Sequence, residues 1–167
     1  MAAKRSAGIL LFRRNGGEIE FLLVHPGGPF WAKKDAGAWS IPKGQIEEDE
    51  EPRACAVREL GEELGKAPEL DPERLIELGS IRQKAGKVVE AWAAEADFDP
   101  AALAGNTFAM EWPPRSGKQQ EFPEVDRAGW FDLESAKAKI LQAQAEFLDR
   151  LLKRLESGGG ERSLPER

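Results

Sequence analysis

The chain of 167 residues has no tyrosine, one cysteine, one histidine and two methionines. A single cysteine, Cys55, excludes an internal disulfide and agrees with a reducing compartment. The single histidine, His25, ends a β-rich run before Pro26, with no companion set for a nucleophile or phosphohistidine role. No stretch of 18 or more apolar residues occurs, so there is no candidate membrane span. The N-terminal run MAAKRSAGILLF soon meets Arg13 and Arg14, without a long apolar core or a small-residue cleavage site, and the cytoplasm is the expected location. Positive charge is outnumbered, with 24 lysines and arginines against 30 acidic residues. With a formal net charge of −6 and a sequence pI of about 5.1, bulk attraction to DNA or to an anionic membrane is not expected. An anionic ligand must be met by local basic side chains and bound metal.

What is present suits one domain. The apolar share is 41%, and five tryptophans and eight phenylalanines supply bulky core candidates. Residues 7–13 and 18–25 read as strands, with Asn15-Gly16-Gly17 between them as a hairpin signal. Residues 26–37 (PGGPFWAKKDAG) read as a loop bearing two aromatics and the Lys33-Lys34 pair. Alternation over 38–41 suggests a brief strand. Further strands are expected over 75–84, 87–97, 107–112 and at Trp130-Phe131, with residues 115–123 a loop. Asp132 or Ser135 opens a final amphipathic helix in which Ile140, Phe147, Leu148, Leu151, Leu152 and Leu155 are the apolar positions. Ser157-Gly158-Gly159-Gly160 should end it. Residues 1–156 are thus expected to form the domain, and 157–167 a flexible tail.

Residues 44–66, GQIEEDEEPRACAVRELGEELGK, organise the rest. Pro52 suits a helix first turn, where its missing amide would be unpaired anyway, and Gly65 suits the stop. At about 100° per residue, Ala54, Val57, Leu60, Gly61 and Leu64 share one face. Cys55, Glu59, Glu62 and Glu63 share the opposite one. Three glutamates at i, i+3 and i+4 repel one another, which costs a helix a few tenths of a kcal/mol, ~0.2–0.5 per pair. Clustered carboxylate oxygens are what a hard divalent cation takes as ligands.

The spacing Gly44, five residues, Glu50, seven residues, then Arg58-Glu59-Leu60-x-Glu62-Glu63-x-Gly65 resembles the Nudix box of the Nudix hydrolase superfamily at eight constrained positions. Lys66 departs from it, since an aliphatic residue usually closes the box. The resemblance implies an α+β fold, an α/β/α sandwich with a mixed β-sheet. It also implies that Glu59, Glu62, Glu63 and the Gly44 carbonyl hold Mg²⁺ or Mn²⁺. Arg58 would orient a neighbouring glutamate, with Glu50 paired to it at the foot of the helix. Trp39 ahead of Pro42-Lys43-Gly44 resembles the branch that cleaves dinucleoside polyphosphates and their inositol relatives.

Glu124, six positions before Trp130, is similar in placement to a further metal-binding or proton-accepting glutamate of several Nudix families, with Glu121 and Asp126 as rivals. A loop could bring such a carboxylate in when substrate is present. Lys43, Arg115 and Lys118 are the basic residues expected near phosphate; Arg82, Lys84 and Lys87 surround a hairpin turn and could also serve. The resulting expectation is a metal-dependent pyrophosphohydrolase acting on a nucleoside diphosphate linked to another moiety, foremost a dinucleoside polyphosphate or nucleoside triphosphate. ADP-ribose or an RNA 5′ end are alternatives. A non-catalytic Nudix-fold nucleotide-binding module would be expected to have lost box glutamates, and all are kept. Nothing resembles an EF-hand loop that would make the helix a Ca²⁺ scaffold.

Overall fold

A computed structural model describes residues 4–162. Gly16 and Gly17 take φ of 61° and 90°, so the chain reverses in two residues and Asn15 faces Glu18. The result is the expected hairpin of β1 (Arg5–Asn15) and β2 (Glu18–Pro26). β1 is buried continuously from Ala7 to Phe12, as a strand covered on both faces must be. Its alternation sorts the side chains: Ala7, Ile9 and Leu11 enter one core, and Leu10 and Phe12 the other.

β3 (Lys43–Gln45), helix α1 (Pro52–Leu64), β4 (Ile76–Arg82), β5 (Val88–Glu95), β6 (Thr107–Glu111), β7 (Gln119–Pro123), β8 (Val125–Phe131), α2 (Leu133–Lys139) and α3 (Ala145–Arg162) follow. The main sheet has the order β4-β5-β1-β2-β8, with β3 also on β1, and β6-β7 form a separate two-stranded ribbon. β1 and β5 run parallel and the other pairs antiparallel, which makes the sheet mixed. Helix α1 covers one face, through Cys55, Ala56, Leu60 and Leu64. The other face is closed by Ala136 of α2 and by Phe147, Leu148 and Leu151 of α3. This is the α+β sandwich expected. No described helix is long and apolar enough to cross a membrane.

Four expectations are corrected. Residues 38–41 form no strand: Trp39 bonds to the end of α2, giving its amide to the Lys139 carbonyl and taking that of Leu141, and Ser40 makes one isolated bridge to Val24. Residues 119–123 are strand β7 rather than loop. Both faces of that ribbon are largely exposed, so no apolar alternation marks it. The single final helix is two helices. Ile140 leaves the helical conformation at ψ 150°, and the fully buried Gln144 fills the corner. Helix α3 also runs past the glycine triplet to Arg162; glycine costs about 1 kcal/mol relative to alanine in a helix without blocking its hydrogen bonds. Residues 163–167 of the expected tail lie outside the described residues.

Candidate active site

Helix α1 starts where the side chain of Glu51 accepts the Ala54 amide at 3.2 Å and Pro52 takes the first turn. It stops at Gly65, φ 87°, whose amide bonds to the Gly61 carbonyl at 2.8 Å. A Cβ on Gly65 would meet the Ala104 carbonyl oxygen at 2.2 Å, so a side chain there is excluded twice over. The helix is rotated from the expected wheel. Ala54 is exposed and Cys55 wholly buried, so the carboxylate stripe lies alongside the core face instead of opposite it. Glu59, Glu62 and Glu63 are consequently only partly exposed, along the edge where α1 meets β3.

Arg58 is the hub of this edge. Its Nε and Nη2 donate to both oxygens of Glu50 at 2.7 and 2.9 Å, and its Nη1 donates to Glu59 and Glu62 at 2.9 Å each. The bidentate guanidinium holds the Glu50 carboxyl down at about 2. Glu59 and Glu63 move the other way. Burial pushes Glu63 up to about 8, helped by the charges of Glu59 and Glu124 and opposed by Lys43. Burial, with the charges of Glu62 and Glu124, raises Glu59 against the pull of Arg58. Burial likewise lowers Lys43, with Lys87 adding to the effect and Glu63 and Glu59 opposing it. Lys87, undecided from sequence, thus reaches Lys43 through its charge alone.

Gly44 explains itself by space, since a Cβ there would fall 1.8 Å from the Glu59 carboxyl carbon. The Cys55 thiol donates to the Gly44 and Gln45 carbonyls at 3.6 and 3.5 Å, and burial pushes it up to about 11. It is a packed, protonated side chain.

Glu124 sits between β7 and β8, and its backbone is fixed at both ends. Its amide donates to the Asn106 carbonyl, and its carbonyl accepts the Gly27 amide, both at 2.9 Å. Asn106 in turn donates to the Glu62 carbonyl at 3.0 Å. The segment expected to move in with substrate is already tied to the end of α1. Asn106 and Gly27 escaped the sequence reading because a backbone contact leaves no side-chain signature. Glu121 stands in β7 opposite Ala109, and Asp126 is engaged by His25. Arg115 and Lys118 lie in the exposed β6–β7 turn, and neither makes an ion pair among the described residues.

Among the described residues, no three carboxylate, imidazole or thiol side chains already stand at ligand spacing. The donor chemistry fits a hard divalent cation nonetheless. Glu59 and Glu63 are partly desolvated and feel each other's charge and that of Glu124, and Glu59 lies over a glycine that leaves room for nothing larger. Such negative charge calls for a cation.

The chain belongs to the NUDIX domain family, whose model matches residues 2–151. Enzymes of this family generally use divalent metal ions. A 36-residue stretch is 53% identical to the RNA pyrophosphohydrolase of Roseobacter denitrificans, covering 22% of this chain and 22% of that one. The chain thus matches about a fifth of that relative's length. Two solved structures share the fold. One is the Ap4A hydrolase of C. elegans in a binary complex: TM-score 0.60, 23% identity, 93% of this chain and 99% of that one. The other is the NUDIX domain of Shewanella oneidensis NrtR complexed with ADP ribose: TM-score 0.62, 19% identity, 93% and 90% coverage.

Proposed function

We propose that the protein is a metal-dependent pyrophosphohydrolase that cleaves a nucleoside diphosphate linked to another moiety, with a dinucleoside polyphosphate or nucleoside triphosphate as first choice. One observation carries this reading: Glu59 lies directly over Gly44, Arg58 ties it to Glu50 and Glu62, and the charges of Glu59 and Glu124 both act on the part-buried Glu63. Glu59, Glu62, Glu63, Glu124 and the Gly44 carbonyl would hold Mg²⁺ or Mn²⁺. Such an ion, when bound, neutralises polyphosphate charge and lowers the pKa of a bound water. The remaining work falls to the chain itself. Arg58, anchored by Glu50, fixes the directions of Glu59 and Glu62. Glu124 accepts the proton of the attacking water, with Glu59 the next candidate. Lys43 meets a phosphate beside the carboxylates, and Arg115 and Lys118 meet the outer part of the substrate.

ADP-ribose and RNA 5′ ends are the competing substrates, supported by what the NrtR domain binds and by the local match to an RNA pyrophosphohydrolase. The net charge of −6 weighs against a polyanion as long as RNA. The test is a panel of dinucleoside polyphosphates, nucleoside triphosphates, ADP-ribose and 5′-triphosphate RNA with Mg²⁺, read as phosphate released after a coupled phosphatase. Turnover should be highest on the first two classes. No turnover on any member would overturn the catalytic reading in favour of a binding module.

A further inference from the structure

Phe30 and Trp31 are the exposed large apolar side chains among the described residues, at 61% and 38% exposure, and they are consecutive. We propose that they form, with Trp112, a stacking platform for the base of the nucleotide, an inference that rests on the nucleotide reading above. Phe30 meets Trp112, at the end of the β6–β7 ribbon, edge to face at 5.4 Å and 81°. Trp31 carries the Lys34 ammonium 5.4 Å from its ring centroid. Phe30 and Trp112 thus bring together two loops distant in sequence, with Trp31 next to Phe30 in the chain.

The platform is held rigid. His25, fully buried, uses Nε2 toward the Lys34 carbonyl at 2.6 Å and Nδ1 toward Asp126 at 2.8 Å. The Lys34 amide closes on the Trp31 carbonyl at 3.0 Å, and the Trp31 amide on that of Gly28 at 3.3 Å. Asp35 accepts the Trp39 indole N–H at 2.8 Å and pairs with Lys139. Aromatic faces fixed before binding lose little entropy when a ligand stacks on them.

Position supplies the occupant. Gly27 donates to the Glu124 carbonyl, and a Cβ on Gly28 would stand 3.0 Å from Phe108, so the loop that carries Phe30 and Trp31 is joined to the backbone of Glu124 and lies against β6. Lys33, Lys34 and Lys118 on the same two loops suit an anion. A base has two π-faces and arrives attached to phosphates, which matches that pairing. Two aromatics alone are too little for a protein partner, since a stable interface buries about 800 Å² per side.

The experiment is a calorimetric titration of the full chain, with Mg²⁺ present, using α,β-methylene-ADP and the base-free methylenediphosphonate. Wild type, Trp31→Ala, Phe30→Ala and the conservative Trp31→Phe are compared. Trp31→Ala should weaken the nucleotide analogue about tenfold or more and leave methylenediphosphonate unchanged, with most of the loss restored in Trp31→Phe. Equal weakening of both probes, or of neither, overturns the platform. So does a concentration-dependent dimer in sedimentation that Phe30→Ala dissolves, which would make a second copy the occupant. If base-dependent binding holds while no nucleotide on the substrate panel is hydrolysed, the catalytic reading fails and the platform stands. If nucleotides are hydrolysed while the base adds nothing to affinity, only the platform fails.

Discussion

Under α2 and α3, Gln144 is fully buried and satisfied: its oxygen takes the Ile41 amide at 3.0 Å, and its nitrogen donates to Ser40 Oγ at 3.1 Å and Gln83 Oε1 at 2.9 Å. Under α1, on the opposite face of the same sheet, Glu59 and Glu63 are half-buried among other carboxylates and pushed toward protonation. One face resolves its polar groups internally, as a core built for stability does. The other leaves charge unresolved. Natural chains break such rules at functional sites and compensate elsewhere.

That contrast can be broken or sharpened experimentally. The largest effect is expected from chelation: excess EDTA should abolish hydrolysis, and full activity in EDTA would end the metal-site reading. Next come Glu62→Gln and Glu63→Gln, each expected to lower kcat about a hundredfold with folding intact; unchanged turnover in both would make the stripe a solvated face. Across the sheet, Gln144→Ala should do the reverse. It leaves the Ile41 amide and its neighbours without partners and should cost about 1–3 kcal/mol of stability in a denaturant titration, at nearly constant kcat per folded molecule. A loss of turnover without a loss of stability there would erase the distinction between the faces.

Glu124→Gln should lower kcat about tenfold, equivalent to about 1.4 kcal/mol of barrier, and Glu121→Gln much less. The opposite ranking would move the loop carboxylate to Glu121. The smallest effect is a pH dependence of the metal-free protein. The Glu63 carboxyl is raised to about 8 in the fold, so the folded state binds the extra proton. Its contribution is present below the ordinary carboxyl pKa and lost as pH rises through about 8. Melting temperatures of wild type and Glu63→Gln should therefore agree near pH 4 and separate by pH 9, with the variant higher and Mg²⁺ closing the gap. Parallel curves would sink this account of Glu63.

The box was legible from its fixed spacing, and the hairpin of β1 and β2 from Asn15-Gly16-Gly17 between two β-rich runs; that β1 is covered on both faces was not. Pro52 and Gly65 bounded α1 correctly. The rotation of its polar face was not legible: Ala54 and Cys55 are both small, and neither fixes which side of the wheel packs on the sheet. Strand β7 was hidden because exposed residues carry no period. The break before α3 was hidden for want of glycine or proline; Gln144 makes it by hydrogen bonds to residues some 60 and 100 positions away. The carboxylates of the candidate site could be named from sequence. Their burial, and the tie that holds Glu124, could not.

That tie has a consequence for how the protein can be changed. From the Glu62 carbonyl through Asn106 and Glu124 to Gly27, successive backbone hydrogen bonds join the helix of carboxylates, the strand junction and the aromatic loop. Gly27 is packed so closely that a Cβ would fall 1.9 Å from the Pro123 carbonyl oxygen. The aromatic loop and the junction that carries Glu124 are therefore not separate modules. A graft of residues 26–37 from a relative, made to alter ligand choice, would carry Glu124 with it unless position 27 stayed glycine. With the proposed roles of the aromatic loop and Glu124, a change made for selectivity would also reach the group proposed to accept the proton.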